Sequence, residues 1–269
     1  MDTEQQAVAI SDPGEIGRAY HNIGDRLVVA ISNLAAWIFP ILMVAIVSQV
    51  LMRNLGQNQA WLDDLQWWLY GVAVLAGVAY AVTTNSHVRV DIFYDNYPRP
   101  RQVRVNLFAL GWLFLPFIIL AWDVTVGYAL QSVVSDEGSD SPNGLHNLWI
   151  LKILMNVSFI LIALACWSAL IRNLKEISEL KLWRILWAAL PATFFTINLL
   201  IYYGLLGIIW LISPAGTSGR EISRHAVFDE VEIGNIESSW TIIAGLVVTA
   251  LVVGGLRMLQ GPAAPVEGQ

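Results

Sequence analysis

The chain has 269 residues, of which 56% are hydrophobic and only 13% charged, with twelve tryptophans and a net charge of −6. A soluble domain usually carries about 25% charged residues, so this chain lacks the polar surface to wrap a water-facing core. The composition excludes a soluble globular domain. The basic residues are split among short segments and form no stripe, which argues against nucleic acid as a partner.

The N-terminus is acidic at Asp2 and Glu4, and the first apolar run starts only near Leu27. A cleavable leader would show a basic start and a shorter apolar core, so the first span is expected to be retained. A helix needs about 20 mostly apolar residues to cross a hydrocarbon layer of roughly 30 Å. Six segments qualify, approximately 27–52, 67–84, 105–134, 148–171, 185–212 and 240–259. The expected fold is all-α and integral to the membrane, with about six transmembrane helices.

Between the first two spans, Trp61, Leu65 and Trp68 repeat at i, i+4 and i+7, which predicts a short interfacial helix held by Trp61, Trp67 and Trp68. Asp63 and Asp64 would stand at its start, where acids oppose the positive end of the helix dipole. The third run is longer than a bilayer requires, so it tilts or its far end leaves the apolar layer. Trp149 and Lys152 open the fourth span. Trp149 would mark the interface, and Lys152 can snorkel outward. The outer loop over 213–239 is long and acidic, with Glu221, Asp229, Glu230, Glu232 and Glu237. Pro40, Pro116 and Pro191 are expected to kink their helices. Small residues four apart, Ala73, Gly77 and Ala81 in the second span and Ala250 and Gly254 in the sixth, permit close helix approach.

Orientation follows from the cations. Arg18, Arg26, Arg89, Arg99, Arg101, Arg104, Arg172, Lys175, Lys181, Arg184 and Arg257 fall on one side, against Arg53, Arg220 and Arg224 on the other. The positive-inside rule then places both termini in the cytoplasm.

Signs of catalysis are sparse. A membrane haem subunit needs axial ligands at bilayer depth, whereas His21, His87, His146 and His225 all fall in loops or at span ends. The sequence contains neither H-E-x-x-H nor G-x-x-x-x-G-K-[ST], so zinc proteolysis and an ATP-driven pump are unsupported. No cofactor or metal is expected. Cys166 sits inside an apolar run and reads as a small packing residue. Asp123, in the outer half of the third span, is the clear ionisable group within a span. An interfacial or helix-contact role is favoured over an ion site, because no second acid lies at similar depth. Asn33, Gln49, Asn156 and Asn198 read as interhelical hydrogen-bond partners.

Three stretches, in order, resemble the small membrane subunit of tripartite ATP-independent periplasmic (TRAP) transporters. They are Trp61-Leu62-Asp63-Asp64-Leu65; His87-Val88-Arg89-Val90-Asp91-Ile92 followed by Tyr97-Pro98; and Asp140-Ser141-Pro142-Asn143-Gly144-Leu145 leading to Trp149-Ile150-Leu151-Lys152. The loop and the Trp-x-x-Lys start match a longer-looped subgroup. The resemblance covers about the first two-thirds of the chain. It implies a four-span core over 27–172 after a cytoplasmic segment 1–26. A basic linker 173–184, a further two-span unit 185–259 and a tail 260–269 complete the map. The extra pair departs from the four-span family pattern, and Asp63 or Asp64 stands where the family usually has Glu.

The implied partners are a large permease subunit holding the substrate and sodium sites, and a periplasmic receptor for organic acid anions. The small subunit would be a non-enzymatic scaffold in the bacterial inner membrane. Trp61, Asp63, Asp64, Trp67, His87, Arg89, Asp91, Trp149 and Lys152 are the candidate subunit-contact or interfacial residues. For the tryptophan–acid segment, a plain helix start at the interface is an equal reading. Arg89 and Asp91, if extended, face one way and could pair with each other or with a neighbour. A self-contained carrier or channel, or the membrane anchor of an enzyme complex, is the alternative function.

Overall fold

A computed structural model describes residues 14, 17–87, 93–214, 219–222, 225–228, 230–233 and 236–264. Among them are six helices long and apolar enough to cross a membrane: Ile23–Asn54, Ala60–Thr84, Arg99–Val134, Trp149–Ile177, Leu190–Ile212 and Trp240–Gln260. The all-α membrane fold is therefore as expected.

The first span is two helices, α1 (Ile23–Ala36) and α2 (Ile38–Asn54), separated at Trp37. Pro40 explains the break, because it has no N–H for the Ala36 carbonyl and its ring crowds that oxygen. α3 (Ala60–Thr84) runs 25 residues without interruption. The helical turns expected over 61–68 are present, but they are the first turns of the second span and not a separate interfacial helix. The physical reason is that the segment contains no glycine or proline to end a helix before Trp67. Asn85, left-handed at φ 55°, closes α3.

The third span divides into α4 (Arg99–Phe108), a π-helical turn (Ala109–Phe114) and α5 (Leu115–Val134). Pro116, the second residue of α5, withholds a donor from Trp112 in the π turn, and the wider turn absorbs the mismatch. Arg99, Arg101 and Arg104 occupy the first turns of this span. After α6 (Trp149–Ile177), the fifth apolar run is split at Ala189 into α7 (Leu182–Ala188) and α8 (Leu190–Ile212). Pro191 is again in the first turn of the new helix, and the Thr193 hydroxyl donates to the Leu186 carbonyl at 2.9 Å. All three prolines thus interrupt a span where kinks were expected.

The segment after α8 contains a short α9 (Gly219–Ile222) and an antiparallel hairpin of β1 (Glu230–Ile233) and β2 (Ile236–Ser239), with Glu230 opposite Ser239. The hairpin leads directly into α10 (Trp240–Gln260).

The chain groups into two compact units, one of Met1–Asn96 with Val124–Arg172, the other of Tyr97–Asp123 with Asn173–Gln269. In the first, α3 packs on α1 and α2 through small buried residues, Ala73, Ala76, Ala79 and Thr83. Ser32 of α1 donates to the Ala76 carbonyl at 3.2 Å across this contact. Gly77 faces open space, so the contact stripe runs beside the Ala73–Gly77–Ala81 row and shares only Ala73 with it. Cys166 of α6 is fully buried, in keeping with a packing role.

In the second unit, α8 packs on α10 and α7 lies against the far end of α10. The buried stripe of α10 is Thr241, Gly245, Thr249 and Val253. A Cβ on Gly245 would lie 3.1 Å from the Asn198 Cβ and 3.2 Å from the Phe194 ring, so this glycine sets the approach. Gly254, by contrast, has open space where a Cβ would stand.

Candidate functional site

The tryptophan–acid segment forms the first turns of α3, and its carboxylates are committed to neighbours in the same unit. Asp63 accepts a hydrogen bond from the Gln49 amide of α2, and Gln66 donates to the Gln49 carbonyl oxygen. Gln49 thus has its buried amide satisfied by two residues one turn apart on α3. The Arg53 guanidinium lies 3.8 Å from Asp63 with both side chains largely exposed, a pairing of little strength.

Asp64 reaches further. Its Oδ2 accepts the Leu145 N–H at 2.9 Å and so ties α3 to the loop between α5 and α6. That loop is closed by its own backbone, with Gly144 N–H on the Ser141 carbonyl and Leu148 N–H on the Glu137 carbonyl. Pro142 and Gly144 belong to that turn, as their residue types suit. Gly144 also allows the close approach of Asp64. A Cβ there would lie 2.6 Å from both the Asp64 Oδ2 and the Ser139 Cβ.

Lys152 does not reach water. It is 6% exposed, its ammonium paired with Glu137 and lying 3.6 Å from the centre of the Tyr128 ring. The snorkelling expected of it is corrected in this respect: the charge points toward the loop and is met there by a carboxylate and a ring face. Hydrogen bonding from Lys152 above all holds the Glu137 carboxyl below its ordinary value. One turn deeper, Asn156 accepts from the Thr125 hydroxyl at 3.1 Å, an α5–α6 bond of the expected kind. The tryptophans stay at the surface. Trp67 is 71% exposed and edge-on to Tyr70, Trp61 bonds Gln59, and Trp149 bonds Asn147.

A second polar cluster lies at the other end of α3, and sequence reasoning missed it. Asp25, fully buried, forms an ion pair of 2.8 Å with Arg172 near the end of α6. The Arg172 Nη2 also donates to the Thr83 carbonyl at 2.8 Å, one of the orphan acceptors at the end of α3. Asn22 caps α1 in a reciprocal box with Asp25 and donates to the Ser168 carbonyl at 3.0 Å. Three helices are joined by this cluster. The available signal was Asn22-x-x-Asp25 ahead of an apolar run; Arg172 had been counted only as an inward-side cation. Burial pushes the neighbouring His21 below its ordinary value, with Asp25 opposing and Arg172 assisting. His87 is exposed. Arg89 and Asp91 lie outside the described residues.

In the second unit Asp123 accepts the Tyr203 hydroxyl of α8 at 2.8 Å, and Tyr203 is edge-on to Trp122. The bond joins the third span to α8. Asn198 differs from its expectation: its Oδ1 is buried with no donor among the described residues, because Gly245 opposite it offers packing surface and no polar side chain. Among the described residues no group of three or more His, Cys, Asp or Glu stands close enough to hold a metal ion.

Six membrane-length helices, with buried charges closed on one another near helix ends, define a multi-span integral membrane protein. Residues 42–176 match the family of the DctQ component of tripartite ATP-independent periplasmic transporters. The match spans half of the chain, and the chain belongs to this family: it is a small membrane component of a TRAP transporter. The matched stretch runs from α2 to the end of α6 and includes Gln49, Asp63, Asp64, Glu137 and Lys152; α7 to α10 lie beyond it. Neither curated proteins nor solved structures gave a match.

Proposed function

We propose that the chain is a non-catalytic scaffold of a sodium-coupled TRAP importer of organic acid anions in the bacterial inner membrane. It braces the large permease subunit, with both termini in the cytoplasm. The observation that supports this most is that the charged and amide groups of the first unit hold its helices to each other. Asp64 ties α3 to the α5–α6 loop, Glu137 neutralises Lys152, and Arg172 joins α1, α3 and α6. A carrier would leave ionisable groups open to an aqueous path; here they are spent on rigidity, which is what a brace requires.

In this reading the exposed Trp61, Trp67 and His87, with Arg89 and Asp91, are available to the large subunit or to lipid headgroups. Asp63, Asp64 and Lys152 shape the surface from beneath. The acidic 213–239 segment is offered to the periplasmic receptor, and the added helices widen the brace. Affinity purification of the tagged chain from its native membrane tests the proposal. It should bring down a large multi-span partner, and liposomes containing this chain alone should show no uptake. Recovery of the chain alone, or uptake without a partner, would overturn it.

A further inference from the structure

The second unit contains an apolar cavity of about 860 Å³ between α4 with its π turn, α7 with the start of α8, and α10. Such a volume falls within the range of roughly 300–1,000 Å³ typical of small-molecule sites. Its walls are hydrophobic side chains such as Leu107, Trp112, Trp187, Phe194 and Leu246, and Ala250 and Gly254 of α10 face into it. Three arginines also line it, Arg104, Arg184 and Arg257, with no carboxylate among the lining residues.

These three differ from Arg99 and Lys181 of the same unit, whose charges are taken up by neighbours. Arg99 is bidentate on Glu176 at 2.8 and 2.9 Å, and Lys181 donates to the Gln260 and Pro262 carbonyls. Among the described residues, no acid pairs with Arg104, Arg184 or Arg257. Arg257 lies over the Trp183 ring at 5.4 Å, a face contact that leaves its in-plane N–H donors available.

The depth of the groove decides the occupant. From Arg257 to Leu246 along α10 is eleven residues, or roughly 16 Å at 1.5 Å per residue, about half of a 30 Å hydrocarbon layer. Along the third span Trp112 follows Arg104 by eight residues, and along the fifth run Phe194 follows Arg184 by ten, so each arginine lies toward one end of the apolar lining of its own segment. Guanidinium groups therefore stand at one end and a hydrophobic trough runs one leaflet deep from them. We infer that this cavity holds one anionic phospholipid, its phosphate against Arg104, Arg184 and Arg257 and an acyl chain along Ala250 and Gly254. Arginine suits a phosphate by its fork of donors, and the small residues of α10 leave the chain its room.

Native mass spectrometry of the full-length detergent-solubilised chain, titrated with phosphatidylglycerol or phosphatidylethanolamine of equal chain length, tests this. Phosphatidylglycerol should bind preferentially. The triple variant R104Q/R184Q/R257Q should lose that preference by about a hundredfold, given the worth of each basic residue near anionic lipid. Gly254→Trp should lower retention of the same lipid with every charge intact, and glycerol phosphate, a headgroup without chains, should not displace it. Equal binding of the two lipids to the wild-type chain would overturn the inference, as would full retention by either variant or displacement by glycerol phosphate. So would a complex with the large subunit in which a protein helix fills the groove. If the triple variant does not fold, the wild-type comparison and Gly254→Trp decide.

Discussion

Gly144 and Asp64 show how a single contact shapes the loop that precedes the fourth span. Any side chain at 144 displaces both Ser139 and the carboxylate that holds the Leu145 N–H. Gly144→Ala is expected to destabilise the folded chain by about 1–3 kcal/mol, the usual cost of overpacking together with a lost hydrogen bond. Asp64→Asn keeps an acceptor and should cost less than Asp64→Ala; thermal unfolding in detergent ranks the three. Asp25 and Arg172 form the more consequential pair. Arg172→Gln leaves a fully buried carboxylate without its cation, a change that costs about 3–5 kcal/mol when a buried pair is broken. The double variant Asp25→Asn/Arg172→Gln should recover part of the loss, and a double-mutant cycle measures how much. Of these residues, Asp64 stood out in the sequence because it follows Trp61 at a helix start. Asp25 did not, since a lone acid near an N-terminus looks like any solvated residue until α6 is seen to bring Arg172 to it.

Apolar runs located the spans, but the helices inside them were set by prolines and by the absence of breakers. Pro40, Pro116 and Pro191 each occupy the first turn of a new helix, so hydropathy reads one span where the backbone has two pieces. Pro40→Ala restores a donor for the Ala36 carbonyl and should join α1 to α2. Hydrogen exchange at the amides of 37–41 would then slow relative to the parent chain; unchanged exchange would mean that Trp37 or its neighbours hold the break independently. Conversely, the interfacial segment over 61–68 merges with the second span because nothing between Trp61 and Trp67 stops a helix. Small-residue spacing was a poor guide to contacts. Gly245, in no repeated pattern with the expected pair, sets the α8–α10 approach, while Ala250 and Gly254 line open space.

Across the whole chain, the cation bias makes a prediction that a labelling experiment settles. Cys166 is fully buried and should stay silent toward membrane-impermeant maleimide. Tyr20, 81% exposed, and Ala264 lie before the first span and after the last, whereas His225 lies in the acidic segment between the fifth and sixth. In intact cells only His225→Cys should label, with Tyr20→Cys and Ala264→Cys reacting after permeabilisation. Labelling of the terminal positions from outside would reverse the orientation.

The membrane-length apolar runs, their number and the uneven split of arginine between their two ends could be read from the residues alone. Each depends on properties summed over about 20 neighbours in the chain, the scale at which a bilayer selects. The order of the tryptophan–acid, His-x-Arg-Val-Asp and Ser-Pro-Asn-Gly segments likewise pointed to the family that the match over 42–176 establishes. The bond between Asp64 and Leu145 spans 81 residues and that between Asp123 and Tyr203 spans 80. Contacts of this range, the Arg172 junction and the arginine-lined groove came only from the tertiary structure. A local pattern says that a polar group must be satisfied, and only the packing of distant helices decides by what.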